Sequence, residues 1–186
     1  MEKRPWTYLP SLFNPKDSEV WAKRITKNIS WEQPLVRVYG KRYLVPRKTS
    51  FLAENQIGYR YSGISHYGNG WPNWFLPLLG IVRSVSKSRF NGCLLNLYRN
   101  GYDRMGWHSD NENELDLTKP IASLSFGATR DFYLRHRSQN ARQLLTLKTG
   151  DLLIMHSDCQ KEWVHSIPTR RKVLIPGLNL TFRCYK

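Results

Sequence analysis

Leu178-Asn179-Leu180-Thr181-Phe182-Arg183-Cys184 alternates apolar and polar residues without a break. A period of two belongs to a strand, whose successive side chains point to opposite faces. Leu178, Leu180, Phe182 and Cys184 share one face, suited to a core. Asn179, Thr181 and Arg183 share the other. A polar face ending in arginine is costly to bury unless it meets water or an anion. A guanidinium–carboxylate pair is the natural use of such an arginine. The pattern alone fits a solvent-facing strand equally well.

Working outward, Cys93-Leu94-Leu95-Asn96-Leu97-Tyr98 has the same period. Leu94, Asn96 and Tyr98 fall on one face, and Cys93, Leu95 and Leu97 on the other. Further short strand candidates are residues 35–39, 57–61, 121–126, 132–136, 144–147, 151–155 and 163–167, separated by Gly, Asn, Asp and Pro. Two helices are predicted. Asn14-Pro15 offers an N-cap and a first-turn proline, followed by an apolar face of Val20, Trp21, Ile25 and Ile29. A second helix starts near Asn73 and carries Leu78, Leu79, Val82 and Val85 at helical spacing. Many short strands, with helices confined to the first half, predict a mainly β fold with supporting helices, a sandwich or barrel. A doubly wound sheet would need helices between strands throughout.

The 186 residues fit one domain with a sizeable core. No run of about 18 apolar residues is present to span a membrane, and the first residues lack the apolar region of a signal peptide. An intracellular protein is expected. Three widely spaced cysteines, Cys93, Cys159 and Cys184, suggest neither a disulfide framework nor a cysteine-based zinc site. The net charge is +15. Residues 1–60 hold twelve Lys/Arg against five Asp/Glu, residues 130–186 eleven against four, and residues 61–129 six against five. A basic excess thus flanks a nearly neutral centre containing Asp110, Glu112, Glu114 and Asp116. Such a surface suits a polyanion, most simply nucleic acid.

The centre also carries Trp107-His108-Ser109-Asp110. In an extended segment, His108 and Asp110 point to one side and can reach a single ion. His165, in a predicted strand, can complete two histidines and one carboxylate. That facial triad leaves positions open and belongs to non-haem iron(II) oxygenases. A bare His-x-Asp is a weak signal, and an ordinary His–Asp hydrogen bond explains it as well. Among the other histidines, His136 sits in a basic run and is expected at the surface. His156 ends a strand before a polar turn, and His66 has no evident partner.

Several motifs in order raise the specificity: Val45-Pro46-Arg47-Lys48, Tyr61-Ser62-Gly63, Asn96-Leu97-Tyr98, His108-Ser109-Asp110-Asn111-Glu112, Pro120-Ile121-Ala122-Ser123-Leu124-Ser125-Phe126-Gly127, Trp163-Val164-His165-Ser166 and Asn179-Leu180-Thr181-Phe182-Arg183. Over residues 35–186 the chain resembles the AlkB family of Fe(II)/2-oxoglutarate oxygenases, in the branch that repairs alkylated DNA. The resemblance implies a double-stranded β-helix (jelly roll) at residues 91–186. It also implies helices and a nucleotide-recognition lid at 1–90, within a single domain. It implies His108, Asp110 and His165 as iron ligands, and Asn96, Tyr98, Asn179 and Arg183 as the 2-oxoglutarate site. Tyr59 and Tyr61 would stack on a flipped-out base, with Arg47 nearby and Glu112 meeting the base's amino group. Val38 and Tyr39 would wedge into the duplex. The implied co-substrates are 2-oxoglutarate and O2, the implied partner is alkylated DNA, and a monomer is expected. The same core acting on RNA or protein, or a weakened nucleic-acid-binding homologue, are the alternatives.

One position departs from the family pattern. An arginine six residues before Arg183 is usual, and position 177 is glycine here. Either Arg183 suffices with Tyr98 and Asn179, another basic group moves in, or co-substrate binding is weakened or lost.

Overall fold

The computed structural model describes residues 4–38, 40–61 and 64–186, and the backbone alone at 36–38, 59–61 and 64–66. Fourteen strands are described. Those before the centre are β1 (Trp6–Leu9), β2 (Leu35–Val38), β3 (Lys41–Leu44), β4 (Lys48–Ala53), β5 (Gly58–Tyr61) and β6 (Ile64–Tyr67). The rest are β7 (Gly92–Tyr98), β8 (Met105–His108), β9 (Ile121–Gly127), β10 (Arg130–His136), β11 (Arg142–Leu147), β12 (Leu152–Met155), β13 (Trp163–Ile167) and β14 (Gly177–Arg183). Helices α1 (Pro15–Asn28), α2 (Leu76–Ser86) and α3 (Ser157–Glu162) accompany them.

The strands β7 to β14 are divided between two antiparallel sheets, alternating except that the consecutive β10 and β11 share the smaller one. The larger has the order β1-β12-β9-β14-β7-β4, and the smaller β11-β10-β13-β8. The first and last strands of this set, β7 and β14, pair with each other, as β8 pairs with β13. That order is a double-stranded β-helix. Strands β1 and β4 flank the jelly-roll strands and form the two edges of the larger sheet. Hairpins β2–β3 and β5–β6 stand apart as two-stranded sheets.

Alternation sets the two faces of the larger sheet. Cys93, Leu95, Leu97, Leu178, Leu180 and Phe182 point outward into a core with Ile25, Phe75, Leu78, Leu79 and Val82 from the helices. The opposite faces of β7 and β14 look into the jelly roll. All seven residues of each strand are buried, so the solvent-facing alternative for Asn179, Thr181 and Arg183 is excluded.

Helix α1 starts as its sequence predicts, with Asn14 Oδ1 accepting from Asp17 N at 2.9 Å. Its buried face runs through Ser18, Ile25 and Ile29. Val20 is 59% exposed, so it does not belong to the apolar face as expected, because 100° per residue turns it away from that line. Val85 of α2 is likewise at the surface.

The helices are not confined to the first half. Helix α3 interrupts the β pattern at 157–162, six residues too short for a periodic signal. Strands β1, β3, β4, β6 and β8 also lie outside the predicted set. His136 is no surface residue. Its side chain is 9% exposed, its ring meets Trp163 edge-on at 5.1 Å, and its Nδ1 accepts from Ser138 N and Gln139 N.

Candidate metal centre and co-substrate pocket

His108 ends β8, Asp110 lies two residues beyond, and His165 sits in β13 directly opposite His108. Between the pairs His108–His165 and Met105–Ile167, β8 takes three residue steps and β13 two, so β8 carries a bulge beside the site. A bulge re-aims side chains locally. Here His108 and Asp110 come to the same side, with His108 Nε2 3.7 Å from Asp110 Oδ1. One ligand atom from each of His108, Asp110 and His165 falls within 4.8 Å of the others. Among the described residues this is the one such group.

The surroundings suit a cation. His108 Nδ1 lies 2.9 Å from Gly106 O, which fixes the tautomer with Nε2 bare toward Asp110. Burial, together with the neighbouring His108, pushes the His165 imidazole down to about 3, so it is neutral as a ligand must be. His165 Nδ1 is buried with no hydrogen-bond partner among the described residues. Burial works to raise the Asp110 carboxyl, but the charge and hydrogen bond of Arg183 outweigh it and hold the group at about 2. Arg183 Nη2 donates to Asp110 Oδ1 at 2.6 Å, a pair buried on both sides. Two imidazoles, that of His165 neutral and with one ring nitrogen orphaned, and an ionised carboxylate fit a divalent ion of the iron(II) type.

Beside the triad lies a cavity of about 460 Å³, including its mouth. Asn96, Tyr98, Asn179, Thr181 and Arg183 line one wall; Met105, Phe132, Met155 and Ile167 form an apolar one. Thus the sequence-predicted metal and co-substrate residues converge on one pocket. Within it Asn179 Nδ2 donates to Ser123 Oγ at 2.7 Å, and Thr181 Oγ1 donates to Asn179 Oδ1 at 2.9 Å. Arg47, expected near a base, is 2% exposed and donates through Nε to Asn96 Oδ1 at 2.7 Å. Gly177 lies in β14 between Tyr98 of β7 and Gly127 of β9.

Glu112 follows in the loop after Asp110, half-buried, its carbonyl accepting from Leu115 N. Val38 ends β2, and Tyr59 and Tyr61 lie in β5 as backbone. Tyr39 lies outside the described residues, as do Ser62 and Gly63.

Sequence reasoning missed three contributors. Gln160 of α3 accepts the Asp110 backbone N–H at 2.9 Å in a buried bond. Phe132 of β10 stacks on the His165 ring at 5.1 Å. Arg130, also of β10, lies with Cζ 5.1 Å over the Tyr98 ring. An inward phase on β10 was legible for Phe132, whereas nothing in a six-residue polar stretch marks Gln160. At the mouth, exposed Trp107 carries Arg135 at 4.7 Å, and Arg137 donates to Ser109 Oγ at 2.6 Å.

The fold and the triad define a jelly-roll protein able to hold an ion of the iron(II) type, and comparison with known proteins gives the family. The 2OG-Fe(II) oxygenase superfamily model matches residues 5–183, and the chain belongs to that superfamily. It is 41% identical over 160 residues to the DNA oxidative demethylase ALKBH2 of Bos taurus, covering 80% of this chain and 56% of that protein. The Homo sapiens ALKBH2 is 39% identical, covering 80% and 60%. The Bos taurus alpha-ketoglutarate-dependent dioxygenase alkB homolog 3 is 33% identical, covering 94% and 64%. The chain thus spans less than two thirds of the length of these relatives. The structure titled "The structure of OsALKBH1" superposes with a TM-score of 0.73 at 16% identity, over 100% of this chain and 99% of that one. That likeness supports the jelly-roll fold. No helix among the described residues is long and apolar enough to cross a membrane.

Proposed function

We propose that the protein is an Fe(II)- and 2-oxoglutarate-dependent dioxygenase that removes N-alkyl groups from DNA bases. The observation that carries this is the buried His108–Asp110–His165 group opening onto a polar strand face of Asn96, Tyr98, Asn179 and Arg183. The relatives named DNA oxidative demethylases, and the net charge of +15, support DNA as the substrate.

His108, Asp110 and His165 hold the metal, and Asn96, Tyr98, Asn179 and Arg183 bind the co-substrate. With iron(II), 2-oxoglutarate and O2 held there, the site would supply the oxidising power to hydroxylate an N-alkyl carbon, and the hydroxylated group would leave as an aldehyde. The chain's own residues do the positioning. Arg183 keeps Asp110 ionised and turned toward the histidines, and Gln160 holds its backbone. Met105, Phe132, Met155 and Ile167 exclude water from one side of the pocket.

Residues 91–186 form the catalytic core, and residues 1–90 the helices and nucleotide-recognition lid. Tyr59 and Tyr61 stack on the flipped base, with Arg47 and Glu112 about it, and Val38 and Tyr39 enter the duplex. Stacking on such rings offsets lost base stacking by about 1–3 kcal/mol per base. Glu112, in an otherwise basic protein, favours a cationic alkylated ring. The protein acts as a monomer inside the cell. Turnover on methylated DNA, RNA and protein, read as formaldehyde, tests this. Formaldehyde from DNA above the other two is expected, and release from RNA or protein alone contradicts it.

A further inference from the structure

Three guanidinium groups are buried here: Arg183 lines the pocket, and Arg47 and Arg130 each contact a side chain that lines it, Asn96 and Tyr98. Arg183 is paired with Asp110 at 2.6 Å, and Arg47 donates to Asn96 at 2.7 Å. The third, Arg130, is 6% exposed. It enters from β10 on the inward phase shared with Phe132 and Leu134. Its Nη1 donates to Asn100 O at 3.0 Å, and its Nη2 to Asp103 O and Pro168 O at 2.6 and 2.8 Å. These acceptors are neutral carbonyls. The neighbouring carboxylates serve other cations: Asp103 serves Arg99 at 2.8 Å, and Asp131 serves Arg170 at 3.4 Å. Arg130 Nε is buried with no acceptor among the described residues. A buried cation that only shares its neighbouring carboxylates with other arginines is expensive, as is an unmade charged hydrogen bond.

The place of this cation is informative. Its Cζ lies 5.1 Å over the Tyr98 ring, and Tyr98 lines the pocket. Tyr98 is the register partner of Gly177, so both face the same way. A Cβ at 177 would sit 3.2 Å from Ala128 O, two residues before Arg130. Arg130 and Gly177 therefore both lie beside Tyr98, at the end of the pocket that Tyr98 lines.

We infer that Arg130, seated on Tyr98, provides the positive charge and the Nε–H that receive the far carboxylate of a dicarboxylate co-substrate. This rests on 2-oxoglutarate being that co-substrate, as proposed above. The near end of such a molecule, a keto acid, belongs to the metal. The far carboxylate distinguishes it from 2-oxobutanoate, which has the same keto acid and no second charge.

Calorimetric titration of the full chain loaded with Mn(II) tests the inference without turnover. The wild type is expected to bind 2-oxoglutarate at least about tenfold more tightly than 2-oxobutanoate, the worth of one charged hydrogen bond. Arg130→Met should reduce that preference to about twofold while leaving 2-oxobutanoate affinity unchanged, and Arg130→Lys should keep part of it. A preference that survives Arg130→Met, or that is lost in Arg47→Met instead, overturns the inference. So does an equal loss for both keto acids, which marks a purely structural arginine. A wild type that binds both equally overturns it alone, whereas one that binds neither sinks the co-substrate assignment first.

Should Arg130→Met fail to fold, the wild type still answers. The ¹⁵Nε–¹H resonance of Arg130 in the Zn(II) protein, assigned by its loss in Arg130→Lys, should shift with 2-oxoglutarate and not with 2-oxobutanoate. Identical spectra with the two ligands contradict the role.

Discussion

Asp110 shows how a single residue is tuned by its neighbours. It is buried, it is ionised, and both its oxygen and its backbone N–H are held, by Arg183 and Gln160. Removing the cation leaves an uncompensated buried charge. Arg183→Met is therefore expected to lower the unfolding free energy by about 3 kcal/mol, read by urea denaturation of the metal-free protein. Gln160→Leu should leave folding nearly intact but weaken metal binding by about tenfold, seen by calorimetry, because it frees the backbone that aims a ligand. Outside the site, burial works to raise the Asp103 carboxyl, but the hydrogen bonds of Arg99 and the charges of Arg99 and Arg130 bring it below its usual value. A carboxyl depressed in the folded state stabilises above its unfolded pKa of about 3.9 and loses that contribution as pH falls through the lower folded value. Unfolding of Asp103→Asn followed below pH 4 should accordingly show a flatter acid limb than the wild type.

At the scale of elements, strands with strict alternation were the most legible part. Strand β14 lies one residue from its predicted bounds, and both of its faces were read correctly: one packs on helices, the other lines the pocket. Phe182→Ala is expected to cost about 3–5 kcal/mol, measured by thermal or chemical denaturation, since its ring is fully buried among Phe75 and Phe90. Two of the strands that escaped prediction share one shortcoming. β3 is exposed along its whole length and β8 carries a bulge, so neither shows a clean period of two. The third helix was hidden because six residues make fewer than two turns. The site was legible where chemistry recurs at a fixed spacing, as in His108-x-Asp110. It was illegible where the partner arrives by folding. Arg130 reaches Tyr98 from the opposite sheet, and Gln160 reaches Asp110 across fifty residues of sequence.

At the scale of the whole molecule, charge and fold divide the work. The jelly roll buries the pocket, while the basic excess lies in residues 1–60 and in the second half of the jelly roll itself, residues 130–186. With a net charge of +15, binding to DNA should weaken steeply with salt, by about 10³-fold or more between 50 and 200 mM if six phosphates are met. Fluorescence anisotropy with a labelled duplex measures this, and a salt-independent affinity would argue against a phosphate-tracking surface. His108→Ala should leave that binding within about twofold, because the triad lies in the pocket and not on the charged surface. The central claim is that His108, Asp110 and His165 hold iron(II) with 2-oxoglutarate beside them. Its most direct test is an anaerobic titration of the metal-free chain with Fe(II) and then 2-oxoglutarate, followed by visible absorption. The account predicts a weak charge-transfer band that saturates at one equivalent and is absent in His165→Ala. No band in the wild type, or an equal band in that variant, would contradict it.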